Sequence, residues 1–296
     1  MAAIEVSELR KSYGNNKAVQ GISFEVADGE VLALLGPNGA GKTTTIEILE
    51  GFRPRTSGSV RVLGTDPAGA TAAFRQRIGI VLQSCGIDPY LTAREVLAMH
   101  RDYYDRRRDV DEVLALVGLA EKANARVKSL SGGQQRRLDV ALGLIGDPDL
   151  LFLDEPTTGF DPSARRQAWD IVRNLRSLGK TVLLTTHYMD EAQSLADRVI
   201  VIAKGKIVAE GPPASIGGRA DAADTIAFSL PSGSPAPPPP ALPDEEPHSY
   251  LFKSRDPTRD LHQLTGWAIE NGVELLELTV TKPSLEDVYL RLVDSK

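Results

Sequence analysis

GPNGAGKTT, residues 36–44, follows the apolar run VLALL (31–35) and opens into TTTIEILE (43–50). Five apolar residues in a row read as a strand buried on both faces, and the stretch after the lysine reads as a helix. A G-x-x-x-x-G-K-T spacing between strand and helix is a loop built for the phosphates of a nucleoside triphosphate. Gly36, Gly39 and Gly41 keep side chains away from the backbone, so successive N–H groups can turn inward onto phosphate oxygens. Lys42 adds a point charge near the outer phosphates, Thr43 supplies a hydroxyl for Mg²⁺, and the helix N-terminus favours an anion. The whole run of Gly36, Pro37, Asn38, Gly39, Ala40, Gly41, Lys42, Thr43 and Thr44 is therefore assigned to the nucleotide. The alternative is a glycine-rich surface turn with a chance lysine, and the flanking strand and helix argue against it.

The 296 residues leave room for one large domain and a small one, and 42% hydrophobic residues can fill a core. The lone Cys85 excludes an intrachain disulfide and fits a reducing compartment, where such a thiol is a small buried apolar group. MAAIEVSELRKSYG is no signal peptide, and no segment approaches the roughly 18 apolar residues of a membrane helix. The expectation is a soluble intracellular chain that does not itself cross a bilayer. A net charge of −6 argues against nucleic acid as a partner. Arg106-Arg107-Arg108, bracketed by Asp105 and Asp109, reads as a solvated helix end.

LLFL (150–153), TVLLTT (181–186) and RVIVIA (198–203) share the unbroken apolar character of VLALL, which predicts parallel strands covered by helices on both faces. The N-terminal segments IEVSELRKSYG, VQGISFEVADGE and GSVRVLG alternate instead and are separated by turn signals, which predicts an antiparallel sheet lying against that core. From about Thr92 to Gly146 the pattern is helical. Near residue 231 the composition breaks: PSGSPAPPPPALPDEEP carries eight prolines and can form only an extended loop. TIAFSLP before it, and YLFKS, DLHQLTGWAIENG, VELLELTVT and a helix from Pro283 after it, predict a small α/β unit in which the proline stretch is a long hairpin loop. Leu276, Leu278 and Val280 on the strand, with Leu285, Val288, Tyr289 and Leu292 on the helix, are expected to build its core.

Two further segments carry chemistry. LLFLDE ends an apolar strand in two carboxylates: Asp154 can orient Mg²⁺ through its water shell, and Glu155 can accept a proton from a water attacking the γ-phosphate. LSGGQ (130–134) precedes a helix that Ser131 can cap, while Gly132 and Gly133 leave N–H groups bare for an anion. Alone, either motif is as well explained by an ordinary strand end or a capped helix.

Their joint order is glycine loop, helical insertion, LSGGQ, then the Asp-Glu strand. In that order the chain closely resembles the nucleotide-binding subunit of ATP-binding cassette (ABC) transporters over residues 1 to about 215. The resemblance implies an α/β fold: a P-loop NTPase with a RecA-like parallel-sheet core, an N-terminal antiparallel β subdomain, a helical subdomain at about 88–146, and a small α/β C-terminal accessory domain. The cassette is expected over 1–218 and the accessory domain over 219–296, with its proline-rich loop at 231–247. The resemblance further implies that Tyr13 stacks on adenine and that Gln83 senses Mg²⁺ and a membrane partner. It gives Asp161 of TTGFD to the D-loop and makes His187 of TTHYMDEA the switch histidine at the γ-phosphate. Phe160 departs from the usual Leu before that aspartate, which leaves the packing of that loop open. ATP and Mg²⁺ are the implied ligands, and ATP hydrolysis the implied reaction, with Lys42, Glu155 and His187 as the catalytic set and Thr43, Gln83 and Asp154 around the metal. Ser131, Gly132, Gly133 and Gln134 are implied to cap ATP held by a second subunit. A homodimer with separate membrane permease subunits, peripheral at the cytoplasmic face of the membrane, is the implied assembly.

The tail TVTKPSLEDVYLRLVD (279–294) is similar, more narrowly, to exporter ATPases of the daunorubicin/doxorubicin-resistance type, which implies export of drug-like, lipid or polysaccharide cargo. The rival reading is a soluble ABC-type ATPase that remodels ribosomes or DNA. Such proteins usually carry two cassettes or a long inserted coiled coil, and neither is present in this sequence. A P-loop kinase or GTPase has no place for LSGGQ.

Overall fold

The computed structural model describes residues 2–81, 86–244, 247–287 and 289. The chain divides into two compact units, Met1–Pro213 and Ala214–Lys296. The first begins with β1 (Ala2–Tyr13), β2 (Asn16–Ala27) and β3 (Val31–Leu35), then α1 (Lys42–Leu49), β4 (Ser57–Val62), the single turn α2 (Ala72–Arg75) and β5 (Ile78–Val81). A helical stretch follows: α3 (Ala93–Arg101), α4 (Val110–Leu116) and α5 (Gly132–Leu144). The unit closes with β6 (Leu150–Asp154), α6 (Pro162–Ser177), β7 (Thr181–Thr186), α7 (Met189–Leu195), β8 (Arg198–Ala203) and β9 (Lys206–Gly211).

The unbroken apolar runs become the centre of a six-stranded sheet in the order β5-β6-β7-β3-β8-β9, parallel except for β9. Every residue of β3 and β7 is buried, as expected of strands covered on both faces. The alternating segments form the antiparallel sheet β2-β1-β4, whose inner faces join α1 and the large sheet through Ile4, Val6, Leu9, Ile22 and Phe24. Register then fixes the site. Leu35 pairs with Thr186, and Asp154 with Thr185, so β3, β6 and β7 end side by side at their carboxyl edge. Open parallel sheets bind ligands at that edge.

Two expectations are amended here. The arginine run, just before the Asp109 cap of α4, is solvated as expected at Arg106 and Arg107 but is not free: Arg106 pairs with Asp147 and Asp149, Arg107 with Asp102, and Arg108 with Asp147 and Glu112. The second unit forms a sheet in the order β11-β12-β10-β13, from β10 (Asp224–Ser229), β11 (Leu242–Pro243), β12 (Ser249–Ser254) and β13 (Leu276–Thr281), with α8 (Pro257–Glu270). The proline stretch links the antiparallel neighbours β10 and β12. Its core is Ile226, Phe228, Leu230, Phe252 and Leu264, not the β13 stripe. β13 is an edge strand exposed along its whole length, Leu276, Leu278 and Val280 included. Leu285 and Tyr289 are buried. Val288, Leu292 and Cys85 lie outside the residues whose packing is described. Among the described residues no helix is long and apolar enough to cross a membrane.

Candidate active site

The glycine loop turns tightly between β3 and α1. Gly41 has φ 107°, closed to most side chains, and a Cβ there would meet the Ala18 carbonyl oxygen at 2.6 Å. Gly36 is required for a different reason: a Cβ would come within 2.3 Å of the Ile202 carbonyl oxygen on β8. Ala40 is buried beneath the loop, and its N–H donates to Pro37 O. Lys42 is buried, and its ammonium donates to Gly36 O at 2.7 Å and to Pro37 O at 3.2 Å. It also lies 3.3 Å from Glu155 Oε1.

Tyr13, Asn38, Gly39, Gly41, Lys42, Thr43, Thr44, Asp154 and Glu155 line one cleft of about 460 Å³, joined by Asn16 and Ala18. At its rim Lys11 and Arg53 lie over the Tyr13 ring at 4.9 and 5.4 Å, which holds the half-exposed ring in place. Outside this lining, His187 Nδ1 stands 3.3 Å from Glu155 Oε2. Burial works to raise the pKa of Glu155, but Lys42, the Thr158 hydroxyl and His187 outweigh it and hold the carboxyl below its ordinary value. The group is therefore a carboxylate at neutral pH.

Thr185 orders both acids. Its hydroxyl donates to Asp154 Oδ1 at 2.5 Å and accepts from the Glu155 N–H at 3.0 Å. From α5, Arg136 donates to the carbonyls of Asp154 and Pro156. Sequence reading missed Thr185 because a threonine in TVLLTT looks like an ordinary strand former. A polar residue at the carboxyl end of an otherwise apolar buried strand is the signal that could have found it.

Thr43 and Asp154 bring a hydroxyl and a carboxylate to the same cleft, the oxygen donors that suit Mg²⁺. Among the described residues there is no group of three His, Cys, Asp or Glu that could hold a metal. Gln83 lies outside the described residues.

LSGGQ is elsewhere. Ser131 caps α5 in a capping box with Gln134: Ser131 Oγ accepts from the Gln134 N–H at 3.3 Å, and Gln134 Oε1 accepts from the Ser131 N–H at 3.0 Å. Ser131, Gly132, Gly133 and Gln134 line a second, larger cleft of about 830 Å³, together with Phe160, Asp161 and Glu155. Asp161 caps α6, its Oδ1 accepting from the Ser163 and Ala164 N–H groups. Within one chain the glycine loop and LSGGQ thus open onto separate clefts.

Parallel sheet, glycine loop and paired carboxylates at the strand ends define a P-loop ATPase of the cassette type. A family model described as ABC transporter matches residues 19–158, and one described as ABC transporter domain-containing protein-like, C-terminal domain, matches 224–284. The Nod factor export ATP-binding protein I of Sinorhizobium fredii (strain NBRC 101917 / NGR234) is 41% identical over 301 residues, covering 98% of this chain and 85% of that protein. Its namesake from Paraburkholderia xenovorans (strain LB400) is 46% identical over 220 residues, covering 73% and 72%. An ATP-binding cassette of an ABC transporter in its ADP conformation superposes with TM-score 0.65 at 25% identity, over 72% of this chain and 91% of that one. A dimeric cassette in a post-hydrolysis state bound to ADP and Pi gives 0.63 at 25% identity, over 71% and 98%. The chain belongs to the ABC transporter family, as one of its ATP-binding, ATP-hydrolysing subunits.

Proposed function

We propose that the chain drives export across a membrane as one of two identical cassettes bound to separate permease subunits, from a peripheral position at the cytoplasmic face. The observation that carries the catalytic part is the cluster Lys42–Glu155–His187, each contact to Glu155 at 3.3 Å, at the foot of the glycine loop. Tyr13 stacks on adenine, while the loop N–H groups and Lys42 hold the phosphates. Thr43, Asp154 and Gln83 hold Mg²⁺, which neutralises charge on the phosphate oxygens when bound. Glu155, kept ionised, takes the proton of the attacking water, and His187 sits where the γ-phosphate ends. Ser131, Gly132, Gly133 and Gln134 close over ATP held by the partner, with Asp161 at the same face.

The export direction is supported by the relatives named for Nod factor export. The PSLEDVYL tail supports the finer likeness to the daunorubicin/doxorubicin-resistance type, and so a drug-like, lipid or polysaccharide cargo. The unit after about residue 218 is an accessory domain outside the catalytic cleft. Nucleotide binding and hydrolysis separate the roles. Lys42→Ala is expected to weaken ATP binding, whereas Glu155→Gln should bind ATP normally, turn over roughly 10²–10⁴-fold slower and elute from a sizing column as an ATP-bound dimer. A monomeric Glu155→Gln protein with normal hydrolysis would remove Glu155 from the role of base.

A further inference from the structure

Glu191, in the first turn of α7, is completely buried and outside both clefts. Its Oε1 accepts a hydrogen bond from the Thr157 hydroxyl at 2.8 Å and another from the Trp169 indole N–H at 3.3 Å. Those partners stand on separate segments. Thr157, itself buried, is two residues after Glu155, and Trp169 lies on α6, the helix that Asp161 caps. Glu191 is four residues after His187. One oxygen atom thus ties together the segments that carry Glu155, His187 and Asp161.

A second set of contacts runs parallel to this one. Arg165, one turn before Trp169, pairs with Asp190 at 3.3 Å and lies 4.2 Å from the centre of the Tyr188 ring, which packs on the His187 ring at 4.0 Å. Here α6 grips the histidine segment from outside, while Glu191 grips it from within.

We infer that Glu191 is a positioning residue for ATP hydrolysis: by bonding Thr157 and Trp169 it fixes the Glu155 segment against the His187 segment, and both against α6. The inference rests on the proposed roles of Glu155 and His187. The Glu191 Oε1 oxygen has two lone pairs and meets two donors here, so what the geometry uses is an acceptor oxygen. Burial, acting first, and the neighbouring Asp190 push the acid upward against the bonds from Thr186, Thr157 and Trp169. A glutamine therefore reproduces the contacts and an alanine removes them. Displacing a reacting group by about 1 Å can cost about 100-fold in rate.

The test is steady-state ATPase kinetics on the full chain, with ATP binding and circular dichroism measured on the same preparations. Glu191→Ala is expected to lower kcat roughly 10- to 100-fold while the KM for ATP stays within about twofold, because the phosphate loop is untouched. Glu191→Gln should restore most of that loss. A folded Glu191→Ala protein with wild-type kcat overturns the inference, and so does a Glu191→Gln protein as slow as the alanine variant. Should alanine prevent folding, Thr157→Val removes one donor at nearly constant shape. It should also lower kcat without raising KM, and an unchanged kcat there overturns the inference as well. Glu155→Gln measured alongside separates the two readings: normal turnover in it sinks the base assignment, whereas slow Glu155→Gln beside fast Glu191→Ala sinks only the role given to Glu191.

Discussion

Glu155 has φ 44°, in the left-handed region that a non-glycine residue occupies at a cost of about 1–3 kcal/mol. The turn is held by its own N–H, which donates to both the carbonyl and the hydroxyl oxygen of Thr185. That conformation swings Glu155 from the strand line toward Lys42, while Asp154 stays in register opposite Thr185. Both carboxylates and the lysine were legible in the sequence, since motif order names them. The strained backbone was not legible, because it depends on a strand that follows β6 only after α6, and the threonine behind it left only the weak signal of a polar residue near the end of an apolar strand. Thr185→Val keeps the shape and deletes the hydroxyl shared by Asp154 and Glu155. Leaving Asp154 short of a donor should cost about 1–3 kcal/mol in denaturant unfolding. It should also slow hydrolysis at unchanged ATP affinity, and a variant as stable and as fast as wild type would show that the hydroxyl orders nothing.

Strands read best where burial is two-sided. VLALL, LLFL, TVLLTT and RVIVIA betray themselves by unbroken apolar composition, whereas β5 is four residues long and reads as nothing in particular. β13 misled for the opposite reason: its alternation is real, but it is an edge strand, and among the described residues nothing buries its apolar positions. Of the arginine run's partners, Asp147 and Asp149 were not legible because they follow only after α5. Asp147, between α5 and β6, has φ 47° and meets Arg106, Arg108 and Lys180. Burial works to raise its pKa, but the bonds from Lys180, Arg106 and Arg108 prevail and bring it down to about 2, against 3.8 for an ordinary aspartate. A depressed carboxyl stabilises the fold fully above its unfolded pKa and loses that contribution as pH falls through the folded one. Asp147→Asn tolerates the left-handed backbone but removes the charge and turns one accepting oxygen into an amide donor. With the exposed partners screened by solvent, it should be less stable than wild type by about 1 kcal/mol near neutral pH, and the gap should narrow between about pH 4 and pH 2. Melting curves of both proteins across that range check this, and a gap independent of pH would dissociate Asp147 from the cluster.

The proline-rich stretch lies inside the second unit, between β10 and β12, while the chain divides earlier, after Pro213. A Cβ at Gly132 would meet nothing within 4 Å in one subunit, so Gly132→Asp should fold and bind ATP. Its carboxylate nevertheless sits at the N-terminus of α5, on the wall of the larger cleft, where it would repel a phosphate brought by another subunit. If two chains pair symmetrically and share their sites, Gly132→Asp dimers have no working site, and neither do Lys42→Ala dimers. A mixed dimer keeps one: the intact glycine loop of the Gly132→Asp chain faces the intact LSGGQ of the Lys42→Ala chain. Equal mixing should therefore restore hydrolysis to roughly a quarter of wild type, because half the dimers are mixed and each has one of two sites. The comparison is the mixture against the mean of the two variants assayed apart. No gain on mixing, or full activity of Gly132→Asp by itself, would mean that each chain hydrolyses ATP alone.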